Sequence, residues 1–152
     1  MISGKIIILL MIVGFAVVVT ADMGLVTYRN IVPAQTNPLP DLVALPHGVG
    51  FSINNVLSTS ANGTLYNVSL KANIKNNGNS AAATSITRFN IEGHSVPNIT
   101  TPSLAPGQTQ GLSYFVNLNS GTYMVDVTTD VNGNVQESNE LNNDLSYVID
   151  LT

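Results

Sequence analysis

Alternating apolar and polar residues run through much of the chain, and they constrain its fold more than any other feature. The clearest stretch carries apolar side chains at every second position: Val68, Leu70, Ala72 and Ile74. A period of two predicts a β-strand with one face in the core and the other in solvent. We therefore expect these four side chains to face inward and Asn67, Ser69 and Lys71 to face outward.

Six further segments show the same pattern or a weaker form of it: residues 42–45, 49–57, 84–91, 112–118, 123–128 and 145–151. Turn-forming sequences such as Asn76-Asn77-Gly78-Asn79 and Asn132-Gly133-Asn134 lie between them. About seven strands with no helical segment between them predict a mostly β chain with an antiparallel β-sandwich over residues 41–152.

The N-terminal segment is apolar without alternation. Residues 6–19 contain no charge and no strongly polar side chain, and no proline precedes Pro33. This run predicts a long apolar α-helix over residues 1–30, which must be buried in lipid or in protein. Four prolines within residues 31–46 then predict a short, stiff linker over about residues 31–40.

Three interpretations of the apolar segment stay open. It resembles a cleaved secretory signal, with Lys5 before the apolar run and Val19-Thr20-Ala21 as a small-residue cleavage site. It is also long enough for a retained membrane anchor. The third interpretation is a helix that packs with its copies in a filament core. The residues expected at that polymerisation surface are Ile6, Ile7, Leu10, Val13 and Val17.

Composition excludes several classes of function. Five Lys and Arg residues against nine Asp and Glu residues give a formal charge of -4. Such a chain cannot neutralise a run of phosphates, so we expect no nucleic-acid partner. The absence of cysteine excludes disulfides, thiolate metal sites and cysteine nucleophiles. No G-x-S-x-G motif occurs and His47 and His94 are expected in surface loops, so the chain is not expected to be an enzyme.

One segment concentrates polar side chains. Residues 130–144 hold four of the nine acidic residues together with five asparagines. Oxygen ligands in a loop suit Ca²⁺, and the candidate ligands are Asp130, Asn132, Asn134 and Glu137. The alternative is a hairpin in which the asparagines bond to nearby backbone groups. The sequence favours the hairpin, with at most a weak calcium site and no other cofactor.

Three sequons offer sites for N-linked glycans. They begin at Asn62, Asn67 and Asn98, and each is expected in a loop or on the polar face of a strand. Glycans at these positions would supply the surface solvation that the few charged residues do not.

The layout of residues 40–152 resembles the CARDB domain, an immunoglobulin-like module of bacterial and archaeal surface proteins. The matching pieces include Pro40-Asp41-Leu42-Val43, Lys75-Asn76-Asn77-Gly78 and Ser103-Leu104-Ala105-Pro106-Gly107. Gly121-Thr122-Tyr123-Met124-Val125 and the stretch from Glu137 to Asn143 complete the set. The resemblance implies a seven-stranded immunoglobulin-like sandwich, a cell-adhesion role and a location outside the cell.

The whole chain also resembles an archaeal type IV pilin, because an apolar segment runs through a short linker into one β-sandwich. Ile2-Ser3-Gly4 is similar to the start of some mature archaeal pilins. This resemblance implies a structural subunit of an extracellular filament, with copies of itself as partners and the membrane as its location before assembly. The alternatives are a membrane-anchored protein that binds a surface layer, as archaellum stator subunits do, and a secreted binding or enzyme-associated module that remains after signal cleavage. The expected ligand is a surface-layer protein or a glycan.

Overall fold

The computed structural model describes residues 6–12, 15–22, 25–31, 38–94 and 97–152. The chain divides into two compact units, Met1–Asn37 and Pro38–Thr152.

The N-terminal unit contains three strands in place of the predicted helix. β1 (Ile6–Ile12) pairs with β2 (Phe15–Asp22), and β2 pairs with β3 (Leu25–Ile31), both antiparallel. The prediction of a long apolar α-helix over residues 1–30 is therefore wrong, since no α-helix occurs among the described residues. No helix within the described residues is long and apolar enough to cross a membrane.

The cause of the error lies in the composition of the apolar run. An uninterrupted apolar stretch fits a buried strand as well as a buried helix. Isoleucine and valine dominate this one, and β-branched side chains favour strands. Gly14 and Gly24 would each also cost a helix interior about 1 kcal/mol.

The residues predicted to form a polymerisation helix are accordingly placed in a sheet. Ile6, Ile7 and Leu10 lie in β1 and Val17 lies in β2. Val13 lies outside the described residues.

Eight strands make up the described part of the larger unit. They are β4 (Leu42–Ala44), β5 (Gly50–Ser60), β6 (Gly63–Asn76), β7 (Ser85–Ile91), β8 (Asn98–Thr101), β9 (Thr109–Asn119), β10 (Gly121–Thr128) and β11 (Asp144–Leu151). A 3-10 turn at Pro46–Gly48 separates β4 from β5. Each of the seven predicted segments overlaps one of these strands, whereas β8 was not predicted.

The eight strands form two antiparallel sheets. In the first sheet, the long strand β6 pairs with β9 on one side and with both β5 and β4 on the other. The second sheet has the order β11-β10-β7-β8. Buried side chains of both sheets, among them Leu70 on β6 and Phe89 on β7, join in one apolar cluster.

The alternation on β6 sets one wall of this core. Val68, Leu70, Ala72 and Ile74 are each 0% exposed, as their period of two predicted. Ser69, which was predicted to face solvent, is only 3% exposed. It pairs with Ser52 on β5 and with Phe115 on β9, so neighbours flank it on both sides of a central strand.

Candidate functional site

The segment between β10 and β11 is the polar cluster that the sequence singled out, and its residues have very different exposures. Asp130 and Glu137 are 4% and 5% exposed. Asn132 and Asn134 are exposed, on the turn that follows Asp130. The four candidate calcium ligands therefore divide into two buried carboxylates and two amides in solvent.

Glu137 is bonded to the first strand of the domain. Its Oε2 accepts a hydrogen bond from the backbone N–H of Leu42, ninety-five residues earlier in the chain. Its Oε1 accepts a hydrogen bond from Nδ2 of Asn143 at 3.3 Å. The backbone N–H of Glu137 in turn donates to Oε1 of Glu140 at 2.9 Å. The side chain therefore joins β4 to the loop that precedes β11.

Three more hydrogen bonds join the same two parts of the chain. The N–H of Ser138 donates to the carbonyl of Pro40 at 2.8 Å, and Nδ2 of Asn142 donates to Oδ1 of Asp41 at 3.0 Å. The hydroxyl of Thr129 donates to the carbonyl of Leu42 at 2.9 Å. We call this set the latch: Thr129, Glu137, Ser138, Asn142 and Asn143, bonded among themselves and to residues 40–42.

Asp130 shapes the turn before the latch. Its φ of 40° lies in the left-handed region, which aspartate tolerates better than most residues. Its Oδ2 accepts a hydrogen bond from the N–H of Val135 at 2.8 Å. Its Oδ1 is buried and accepts no hydrogen bond from the described residues, and the same holds for Oδ1 of Asn142 and of Asn143.

The carboxylate of Glu137 lies near three other carboxylates. The pKa of Glu137 is raised from 4.5 to about 7, and burial is the largest cause. The hydrogen bond from Leu42 lowers the pKa, while the nearby carboxylates of Glu140, Asp130 and Asp41 contribute to the rise. A proton on Glu137 is the simplest way to relieve this repulsion.

The raised pKa predicts that stability depends on pH. A folded-state pKa above the unfolded value means that the folded protein holds the proton more tightly. The stability that this proton contributes is fully present below about pH 4.5 and is lost as the pH rises through about 7. We expect the free energy of unfolding to fall by on the order of 3 kcal/mol across this window, measured by urea unfolding at several pH values.

Glu137→Gln is the matched variant, because glutamine keeps the shape and cannot titrate. Its free energy of unfolding should lack the part of the wild-type pH dependence that Glu137 causes. A variant with the same slope as the wild type would show that the titration belongs to another group.

The structure places the four candidate calcium ligands in two different environments. In residues 38–94 and 97–152, no three acidic or histidine side chains are arranged to hold a metal ion. Asn132 and Asn134 are exposed on the turn, whereas Asp130 and Glu137 are buried. The oxygens free to meet a cation are instead the buried Oδ1 atoms of Asp130, Asn142 and Asn143.

We expect excess chelator to shift the melting temperature of the protein by less than a few degrees. A calcium site occupied at a hundred times its dissociation constant would contribute about 2.7 kcal/mol. Its loss would lower the melting temperature by roughly 10 °C for a domain of this size. A loss of that size, reversed by Ca²⁺ and not by Mg²⁺, would contradict the expectation and make Asp130, Asn142 and Asn143 the first ligands to mutate.

Asn76 holds a second buried polar site, whose role the sequence did not predict. Its Oδ1 accepts hydrogen bonds from the N–H groups of Asp41 and Gly78, at 3.1 and 3.0 Å. Its Nδ2 donates to the carbonyls of Ser80 and Leu104, at 2.8 and 2.9 Å. The amide thus uses two acceptor positions and both donors while it is 0% exposed.

The remaining predicted sites lie apart from the latch. His47 is exposed in the 3-10 turn, and the ring of His94 meets the ring of Tyr123 edge to face at 6.0 Å. Asn62 lies in the turn between β5 and β6, Asn67 within β6, and Asn98 at the start of β8.

Comparison with known proteins places this geometry in a family. The family model for CARDB matches residues 39–147. A crystal structure of the CARDB domain of a Pyrococcus furiosus protein, in complex with di-metal ions, has a TM-score of 0.56 and 24% identity, over 76% of this chain and 96% of that one. A solution structure of the same domain has a TM-score of 0.54 and 24% identity, over 75% of this chain and 96% of that one.

A third structure comes from another organism. It is a domain of a candidate cell surface protein from Methanosarcina acetivorans, with a TM-score of 0.56 and 23% identity, over 75% of this chain and 93% of that one. At these identities the structures show a shared fold. No curated protein matches the chain.

Proposed function

Because this chain belongs to the CARDB family, we propose that it is a non-catalytic cell-surface protein whose β-sandwich binds other components of the surface. CARDB domains are associated with cell surfaces, and the family model covers most of the larger unit. The prediction of a CARDB domain is confirmed, and the adhesive role is the specific form that we propose for it.

The observation that carries the proposal is that the buried polar side chains form hydrogen bonds to the backbone of the domain. Glu137 accepts a backbone N–H of β4, and Asn76 bonds to four backbone groups of surrounding loops. A catalytic carboxylate would instead face a substrate cleft. These side chains hold the sandwich together, which leaves the outer faces and loops to provide the function.

The outer face of the second sheet is suited to contact a partner. Met124 on β10 and Val148 on β11 pair directly across the strands and are 59% and 61% exposed. Exposed apolar side chains that adjoin one another favour association more than scattered ones do. With few charges in the chain, a neutral partner such as a surface-layer protein or a glycan suits this face better than a polyanion.

Location can be tested on intact source cells with an amine reagent that does not cross membranes. Lys71 is exposed on the outer face of β6, so a surface protein should be modified there equally in intact and lysed cells. Peptide mass spectrometry reads this position. Modification in lysed cells alone would contradict the proposal.

A second candidate is a filament subunit, joined to its copies through the N-terminal unit. The observation that favours it is the apolar composition of residues 6–19, which a surface protein must cover. The joining elements would be strands, since β1 to β3 replace the predicted helix. Electron microscopy of native protein, with mass spectrometry of its N-terminus, tests this: filaments support it, and dispersed particles that begin at Asp22 oppose it.

A further inference from the structure

The three sequons differ in how accessible their asparagine side chains are. Asn67 is closed: its Oδ1 accepts a hydrogen bond from Asn54 at 3.1 Å, and its Nδ2 donates to Asn117 at 2.9 Å. The hydroxyl residue of that sequon, Ser69, is 3% exposed. A glycan on Asn67 would break this row of asparagines across β5, β6 and β9.

Asn62 is the open sequon. It is exposed in the two-residue turn between Ser60 and Gly63, and its backbone N–H donates to Oγ of Ser60 at 3.2 Å. No hydrogen bond to its side-chain amide is present within residues 38–94 and 97–152. Asn98 is intermediate, because it is exposed at the start of β8 but its Oδ1 accepts from Nε of Arg88 at 3.0 Å.

The strand that leads to Asn62 lies at the edge of its sheet. Among residues 38–94 and 97–152, β5 pairs only with β6, and residues 50–60 contain no charge and no proline. Four large apolar side chains of this strand are exposed by 38%, 44%, 59% and 47%: Phe51, Ile53, Val56 and Leu57. Two register shifts in the pairing with β6 are the main irregularity along it. Charges and prolines usually keep such edges from pairing with other chains.

We propose that Asn62 carries an N-linked glycan that covers the apolar edge of β5. Leu57 is five residues from Asn62 along the hairpin, roughly 16 Å in an extended strand, which a chain of a few sugars can span. The glycan supplies the bulk and hydration that a lysine or proline supplies on other edge strands. Asn98 is a secondary acceptor and Asn67 is not modified.

The modification needs a lipid-phosphate-linked oligosaccharide as donor and a membrane transferase. The bond between the anomeric carbon and the phosphate oxygen breaks, and a bond from that carbon to Nδ2 of Asn62 forms. The lipid phosphate leaves with the electron pair of the broken bond, and Nδ2 gives up one proton. The hydroxyl of Thr64 completes the sequon that the transferase reads.

Peptide mass spectrometry of protein purified from source cells tests the site. We expect a glycan mass on the peptide that contains Asn62 and an unmodified peptide for Asn67. An unmodified Asn62, or a glycan on Asn67, would overturn the proposal.

The role of the glycan is tested with Asn62→Gln and Thr64→Ala, both produced in the source cells. Each should lose the glycan and form larger species than the glycosylated protein does in light scattering, while its melting curve shows a folded domain. Adding Val56→Lys to Asn62→Gln should restore the size of the glycosylated protein, because a charge then protects the edge. Glycan-free variants that keep that size, or no rescue by the lysine, would overturn the covering role.

Discussion

Replacing Asn76 by alanine should lower the free energy of unfolding by about 3–5 kcal/mol. The change removes four hydrogen bonds at a site that is 0% exposed. The N–H of Asp41 and the carbonyl of Ser80 then lose the amide partner, whereas the carbonyl of Leu104 keeps its bond from the N–H of Ala82. A polar group that is shielded from water and has no partner destabilises the folded state. Urea unfolding at constant pH measures the change.

Asn77→Ala is the matched control, because Asn77 is the next residue and its side chain is exposed. Its bond to residue 41 uses the backbone N–H, which alanine keeps. The control should lie within about 0.5 kcal/mol of the wild type. Similar losses of stability in both variants would mean that the four hydrogen bonds of the Asn76 side chain are not the cause of the loss.

Leu70→Ala should cost about 2–5 kcal/mol. Leu70 is 0% exposed in the middle of β6, where it pairs with Phe51 on β5 and Tyr114 on β9. The substitution leaves a cavity between the two sheets that neighbouring side chains fill only in part. Chemical denaturation measures the change. If the slope of the unfolding free energy against denaturant concentration is unchanged, the substitution has altered stability alone.

Lys71→Ala is the control for Leu70→Ala, since Lys71 is the next residue and is exposed on the opposite face. We expect a change of less than about 0.5 kcal/mol. Ser69, the other neighbour, is an unsuitable control because it is buried. Equal effects at positions 70 and 71 would contradict the register of β6.

Most strands of the sandwich were predictable because alternation reports directly on which face is buried. The strand that was missed, β8, has only four residues and one large apolar side chain, Ile99. Pairing with β7 defines it, including a contact of 2.7 Å between the buried hydroxyls of Thr87 and Thr101. Contacts of that kind depend on a partner fourteen residues away, which a local pattern does not reveal.

The N-terminal segment could not be predicted from its local pattern. Its apolar run identified residues that must be covered, but hydrophobicity without a period does not choose between helix and strand. The chain there forms β1 to β3. The alternation that made β6 predictable is missing from residues 6–19.

The polar motifs were recognised by sequence, whereas their roles were not. Glu137 and Asn143 belong to a segment that carries the family resemblance, and Glu137 is also one of the candidate calcium ligands. In the structure Glu137 accepts the N–H of Leu42, ninety-five residues away. Nothing in the local spacing of acids and amides indicates such a partner. Only the fold shows that the motif joins β4 to the segment that precedes β11.

Binding of the labelled full-length protein to cell envelopes isolated from its source tests the proposed function most directly. We expect saturable binding that unlabelled protein displaces and that excess chelator leaves unchanged. Met124→Lys, on the outer face of the second sheet, should weaken it, whereas Lys71→Ala, on the first sheet, should not. Binding that does not saturate, or that is absent, would contradict the account of this chain as an adhesive module of the cell surface.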